Sequence, residues 1–388
     1  MSGETGENGE IPAPRENPHL RGHEDAEGVL KEAFDGGRLA HAWLISGPEG
    51  IGKATLAYRF ARYVLSDGAG APDSGSPAAA GLFGEELPPE DGADDPDQEE
   101  GPLYLAPTHP VFKRVAGGGH TDLMSVERTI NDKTGKLRTE IVVDDVRMIG
   151  NFFHFTAGEG GWRVVVIDCA DEMNINAANA VLKVLEEPPP KALLLLVSHN
   201  PGRLLPTIRS RCRKLSLQPL AEDTVASLVR GWRLDLEGED TQSLATLADG
   251  SPGRALALSG EGGLELYRDM IALLETLPRL DVAALHALSG RLGKSGADDA
   301  FRTASGLLRW WLARMILAAA GSGRHRVTAM TGSEKALMDR LGGMVSLDRW
   351  FEVWEKINRL LNKTDQINLD RKQVVLNVFL ALENTVRP

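Results

Sequence analysis

The chain has 388 residues, a hydrophobic fraction of 42% and a charged fraction of 25%, ordinary values for a globular protein of two or three domains. Its net charge of −12 speaks against an autonomous nucleic-acid binder, but nine Asp/Glu and no Lys/Arg fall between Glu85 and Glu100, so that stretch alone carries −9 and the remainder about −3. Two cysteines, Cys169 and Cys212, are too few for a disulfide framework or a four-thiolate zinc site. With a polar, acidic start and apolar runs too short to cross a bilayer, a cytoplasmic location is expected.

Residues 1–18 read as a disordered lead. Over residues 24–34 the apolar positions Ala26, Val29, Leu30, Ala33 and Phe34 recur at helical spacing, and Gly36-Gly37 ends the pattern. Residues 42–46, Ala-Trp-Leu-Ile-Ser, form a short apolar strand that feeds Gly47-Pro48-Glu49-Gly50-Ile51-Gly52-Lys53-Ala54. This run matches the phosphate-binding loop G-x-x-x-x-G-K-[ST] up to its last position. In such a loop backbone N–H groups wrap the phosphates, the lysine meets the terminal phosphate, and the hydroxyl residue holds Mg²⁺. Ala54 has no hydroxyl, and Thr55 does not replace it, because one helical step turns a side chain by about 100°. Residues 54–65 continue as a helix, so the loop has the strand-loop-helix setting that separates a phosphate lysine from a solvated lysine at a helix start.

From about 66 to 102 the chain is rich in Gly, Pro, Ala, Asp and Glu, and reads as a flexible acidic insertion. Order resumes by His109, and residues 141–146 mark a strand end or helix start. Val164-Val165-Val166-Ile167-Asp168 is an apolar run ending in a carboxylate, as expected of a buried parallel strand. Asp168 stands where a metal-associated carboxylate follows such a strand, or is a loop or capping aspartate. The next position, which in hydrolysing relatives of such folds is a water-polarising glutamate, is Cys169, a small buried residue by expectation. Residues 176–187 form an amphipathic helix stopped by three prolines, and residues 192–197 a second buried strand. Strands and helices alternating in this way give a doubly wound α/β domain.

Arg211, in Ser210-Arg211-Cys212, follows the second strand closely. An arginine held at a domain edge can enter a neighbouring subunit's nucleotide site and stabilise charge developing on the γ-phosphate; otherwise it is a surface arginine paired with an acid. Beyond Leu220 the pattern is helical throughout: residues 220–232, 241–248 and 253–258 make a small unit, and longer helices follow at 302–319, 347–362 and 371–383. Trp310, Trp311, Trp350 and Trp354 lie on these helices, as core or as interface.

Three runs carry a family resemblance: residues 168–174 (DCADEMN), residues 177–189 (AANAVLKVLEEPP) and residues 204–212 (LLPTIRSRC). With His41-Ala42-Trp43 and Asn17-Pro18, they make the chain similar to bacterial clamp-loader ATPases of the AAA+ class over nearly its whole length. The resemblance implies an α/β P-loop AAA+ domain on a parallel sheet (19–219), a small helical lid (220–262) and an all-α collar (263–388). It implies assembly with the gamma/tau and delta subunits of DNA polymerase III, acting through the complex on the sliding clamp and primed DNA during replication. By position, Arg211 is then a finger for the ATP site of an adjacent gamma/tau subunit, Ser198 lies in the sensor-1 region or is a plain strand-end hydroxyl, and Arg254 is a sensor-2 arginine or a helix-start charge. Gly47, Gly50, Gly52, Lys53 and Asp168 make up a nucleotide-binding set that is expected to bind ATP weakly and, with Ala54 and Cys169, not to turn it over efficiently. Those two losses count against the alternative, an active gamma/tau-like motor. Relatives often carry a four-cysteine zinc module after the P-loop helix; here the acidic insertion takes its place, and no zinc is expected.

Overall fold

The computed structural model describes residues 12–67, 101–131, 135–155, 157–158, 161–233, 235–236, 238–260, 262–321, 332–367 and 369–387. Most of the acidic insertion and the first part of the N-terminal lead lie outside these residues. The chain divides into two compact units, Met1–Thr224 and Val225–Pro388.

The first unit contains α1 (Glu24–Asp35), β1 (Ala42–Ser46), α2 (Lys53–Leu65), α3 (Pro110–Ala116), β2 (Leu123–Val126), α4 (Val143–His154), β3 (Arg163–Ile167), α5 (Ile175–Glu186), β4 (Ala192–Ser198), α6 (Pro206–Arg211) and β5 (Arg213–Ser216). The strands form one parallel sheet in the order β2-β3-β4-β1-β5, as expected for the α/β domain. Because side chains alternate along a strand, the apolar runs feed both faces. Trp43, Ile45, Val164, Val166, Leu193, Leu195 and Val197 pack with Leu30 of α1, Leu56 and Phe60 of α2 and Val111 of α3. Ala42, Leu44, Val165, Ile167, Leu194 and Leu196 pack on the opposite face with Ile149 of α4, Val181 and Leu185 of α5 and Ile208 of α6.

Residues 12–18, expected within a disordered lead, are instead fastened to α2. Arg59 and Arg62, one turn apart, are each 1% exposed. Arg59 donates to the Pro18 carbonyl, and Arg62 donates to the Arg15 and Asn17 carbonyls at 2.8 and 2.7 Å. Buried guanidinium groups require acceptors, and this backbone supplies them.

The second unit is helical among the described residues. After α7 (Glu222–Trp232), which begins just before the boundary, come α8 (Gly238–Ala248), α9 (Pro252–Gly260), α10 (Gly263–Glu275), α11 (Val282–Leu292), α12 (Asp298–Ala319), α13 (Gly332–Gly342), α14 (Leu347–Ile367) and α15 (Arg371–Val386). Asp281 and Asp370 cap α11 and α15 by accepting from first-turn N–H groups. One apolar cluster runs from Leu244 to Val386. Trp311 and Trp350 sit inside it, their indole N–H groups donating to Glu334 and to the Leu341 carbonyl, each at 3.1 Å. Trp310 and Trp354 are half-buried.

Candidate functional site

The loop leaving β1 stands at the carboxyl ends of the strands, where β1 has β4 on one side and β5 on the other. Open parallel sheets place their ligands at such switch points. The loop's backbone depends on glycine. Gly47 has φ +149°, and a Cβ there would come within 2.7 Å of the Leu217 carbonyl oxygen; Gly52, φ +101°, would bring its Cβ within 2.8 Å of a Leu20 methyl. Gly50 also has positive φ, +73°. The 13-residue helix α2 then starts with no side-chain cap and no acidic residue in its first turn, the arrangement that offers N–H groups to a phosphate.

Lys53 opens α2 but is only 3% exposed, and its ammonium donates to the Pro48 carbonyl of its own loop. Burial pushes its pKa down, while the carboxylates of Asp168, Glu49 and Asp171 oppose that shift. The loop is closed from outside by His23, whose ring Nε2 donates to the Ile51 carbonyl at 2.7 Å. Ala54 and Thr55 follow, with Thr55 buried.

Asp168 follows β3 directly, and its Oδ1 accepts the Cys169 N–H at 2.9 Å. Cys169 adopts a left-handed backbone, φ 54°, and its Sγ lies 3.2 Å from His199 Nε2 beyond β4. Burial, with the carboxylates of Asp168, Glu172 and Asp171, pushes the thiol up to about 12. The position therefore holds a neutral S–H at physiological pH and carries no anion to polarise a water. Asp171 is drawn back by the short helical turn Ala170–Glu172 and accepts from the backbone N–H groups of His199 and Asn200 at 2.9 and 3.2 Å. Burial raises its pKa, but the Ser198 hydroxyl and the His199 N–H more than offset this and hold it low. Ser198 is fully buried at the end of β4, in register with Ser46 of β1. The structure thus gathers the loop, Lys53, Asp168 and Ser198 at one end of the sheet. The Cys169–His199 contact and the anchoring role of Asp171 had no signal in the sequence.

Arg211 ends α6. Its Nη2 pairs with Glu186 Oε1 at 2.8 Å and its Nη1 donates to the Thr207 carbonyl at 3.0 Å; the side chain remains 36% exposed. The exposed Arg203, Arg213 and Lys214 flank it in sequence. Arg254, in the second unit, lies in the first turn of α9; its backbone N–H donates to the Ser251 hydroxyl oxygen at 3.1 Å, and its guanidinium lies 5.7 Å from the Trp310 ring centre, with Arg314 at 4.4 Å on the same ring. Burial pushes the Arg254 pKa down. Among the described residues no group of three or more His, Cys, Asp or Glu is arranged to hold a metal, and no helix is long and apolar enough to cross a membrane.

A family model described as DNA polymerase III, delta subunit, matches residues 105–221. The DNA polymerase III subunit delta′ of Pseudomonas aeruginosa is 36% identical over 252 residues, covering 64% of this chain and 65% of that protein. The delta′ subunit of Escherichia coli K12 is 30% identical over 59% of this chain and 57% of its own length, and the tau subunit of Bacillus subtilis 168 is 24% identical over 76% and 46%. The chain therefore spans about half to just under two thirds of the length of these relatives. With a P-loop-like segment in a parallel α/β unit and a second, helical unit, the chain is similar to subunits of DNA polymerase III, those named delta′ foremost.

Proposed function

We propose that this protein is the delta′-type subunit of a clamp loader: it assembles with gamma/tau and delta subunits to load the sliding clamp onto primed DNA, and offers Arg211 in trans to a neighbouring gamma/tau ATP site. In this reading residues 19–219 are the AAA+ domain, 220–262 a lid and 263–388 the collar that holds the assembly together. The observation that carries it is the pairing of an incomplete site with an exposed arginine. Ala54 lacks the metal-binding hydroxyl, Cys169 is a neutral thiol, and Lys53 is folded onto its own loop, whereas Arg211 stands at an exposed helix end.

The mechanism follows from charge. As the bond to the γ-phosphate breaks in the neighbour's site, negative charge grows on the equatorial oxygens. A guanidinium brought from across the boundary neutralises it with two parallel N–H donors. The chain's own loop serves as scaffold and binds ATP weakly at most, with Lys53 meeting the phosphate and Asp168 facing it. Arg254, set against the Trp310 ring, is the sensor-2 arginine of the lid in this reading. The test is steady-state ATP turnover by the purified chain: none above background is expected, and steady turnover abolished by Lys53→Ala would favour an active motor instead.

A further inference from the structure

Arg211 is not free in the isolated subunit, and its restraint has a recognisable design. Its guanidinium is held by the Glu186 carboxylate at 2.8 Å and by the Thr207 carbonyl at 3.0 Å. Glu186 is the last residue of α5, followed by Glu187 at the cap. Two adjacent carboxylates at the negative end of a helix dipole are electrostatically misplaced, since that end favours cations. Helix stability therefore gives no reason for the pair to be there, and Arg211 is the cation that compensates Glu186 from the neighbouring α6. The pair is also half-exposed, 36% and 50% at its two side chains, so it can open without leaving a charge buried.

We infer that Glu186 is a positioning residue that latches Arg211 back on its own domain until a more highly charged anion, the triphosphate of the adjacent subunit, competes for the guanidinium. This rests on the trans-acting role proposed for Arg211. One carboxylate against a polyphosphate gives a switch with a built-in direction: the latch restrains the finger when the neighbouring site is empty or misaligned, and yields when the interface closes. An exposed pair of this kind is worth at most about a fivefold shift in equilibrium, so the latch biases the finger and does not lock it.

The test uses the complex reconstituted from the full-length chain and its cognate gamma/tau and delta subunits, with ATP turnover measured without clamp or DNA. Glu186→Gln should raise that turnover roughly two- to fivefold, Glu186→Asp should largely restore the wild-type rate, and the gain should vanish when Arg211→Ala is added. The difference between wild type and Glu186→Gln should shrink as NaCl is raised, because the lost pair is exposed to screening. Turnover unchanged in Glu186→Gln while Arg211→Ala lowers it would overturn the latch and leave the finger standing. A gain that persists in the Arg211→Ala background would equally overturn it. If Arg211→Ala alone has no effect, the finger reading fails and the latch with it. A purely structural role for Glu186 would shift thermal stability without this dependence on Arg211.

Discussion

Replacing Glu27 with alanine should destabilise the first unit far more than the loss of an ordinary ion pair. Its Oε1 lies 2.5 Å from Arg59 Nε, and both side chains are 1% exposed. One turn along α2, Arg62 is equally buried; burial and the adjacent Arg59 press its pKa down, and Glu27 is the carboxylate that opposes them. Alanine would leave two buried guanidinium groups with no carboxylate, held by backbone carbonyls and set over the Tyr104 and Phe112 rings. Removing one member of a buried pair costs about 3–5 kcal/mol, against a total stability of about 5–15 kcal/mol for a typical domain. Urea unfolding followed by tryptophan fluorescence would measure this, since Trp43 is fully buried in the same unit. Glu27→Leu combined with Arg59→Leu should recover much of the loss, because an apolar pair of similar volume avoids the desolvation penalty. The segment of residues 12–18 fastened to α2 should loosen as well, seen as faster amide exchange over residues 15–20. A loss below about 1 kcal/mol, the value of an exposed pair, would show that Glu27 and Arg59 do not act as a buried pair.

Two further outcomes are expected at the site. Burial pushes Cys169 up to about 12 and Cys212 up to about 11, so neither thiol should react with a thiol-specific disulfide reagent at pH 8 until the protein unfolds; labelling of native Cys169 within minutes would contradict this. Burial lowers the pKa of His23 below its usual value, so between that lowered value and about 6.5 the unfolded chain binds more protons than the folded one. Stability should therefore fall as pH drops below about 6.5, and His23→Gln should flatten that part of the curve; an unchanged slope would assign the effect to another group.

Much of the first unit is legible in sequence because its strands are buried on both faces. Ala42–Ile45 of β1, Val164–Ile167 of β3 and Ala192–Val197 of β4 are unbroken apolar runs, as a central parallel strand demands. The edge strands β2 (LMSV) and β5 (RKLS) escape such a reading. They are four residues long and partly exposed, and β5 carries Arg213 and Lys214. What holds β5 in place is pairing with β1, including Arg213 over the Trp43 ring at 4.7 Å. The loop is legible for a different reason: its glycines answer backbone demands that no other residue meets. By contrast, Cys169 with His199 and Glu186 with Arg211 are side-chain meetings across separate elements, without periodicity to announce them. Arg59 and Arg62 look like the polar face of an amphipathic helix, and only the backbone of residues 15–18 laid over them makes them core.

The role of Arg211 is decided by the ATPase rate of the reconstituted clamp loader carrying Arg211→Ala, in the presence of sliding clamp and primed DNA, with assembly checked by co-elution. The complex should stay intact while turnover at the site facing this subunit falls by about 10³–10⁵, the usual worth of such a finger, so that total turnover drops by that site's share. An intact complex hydrolysing ATP at the wild-type rate would contradict that role.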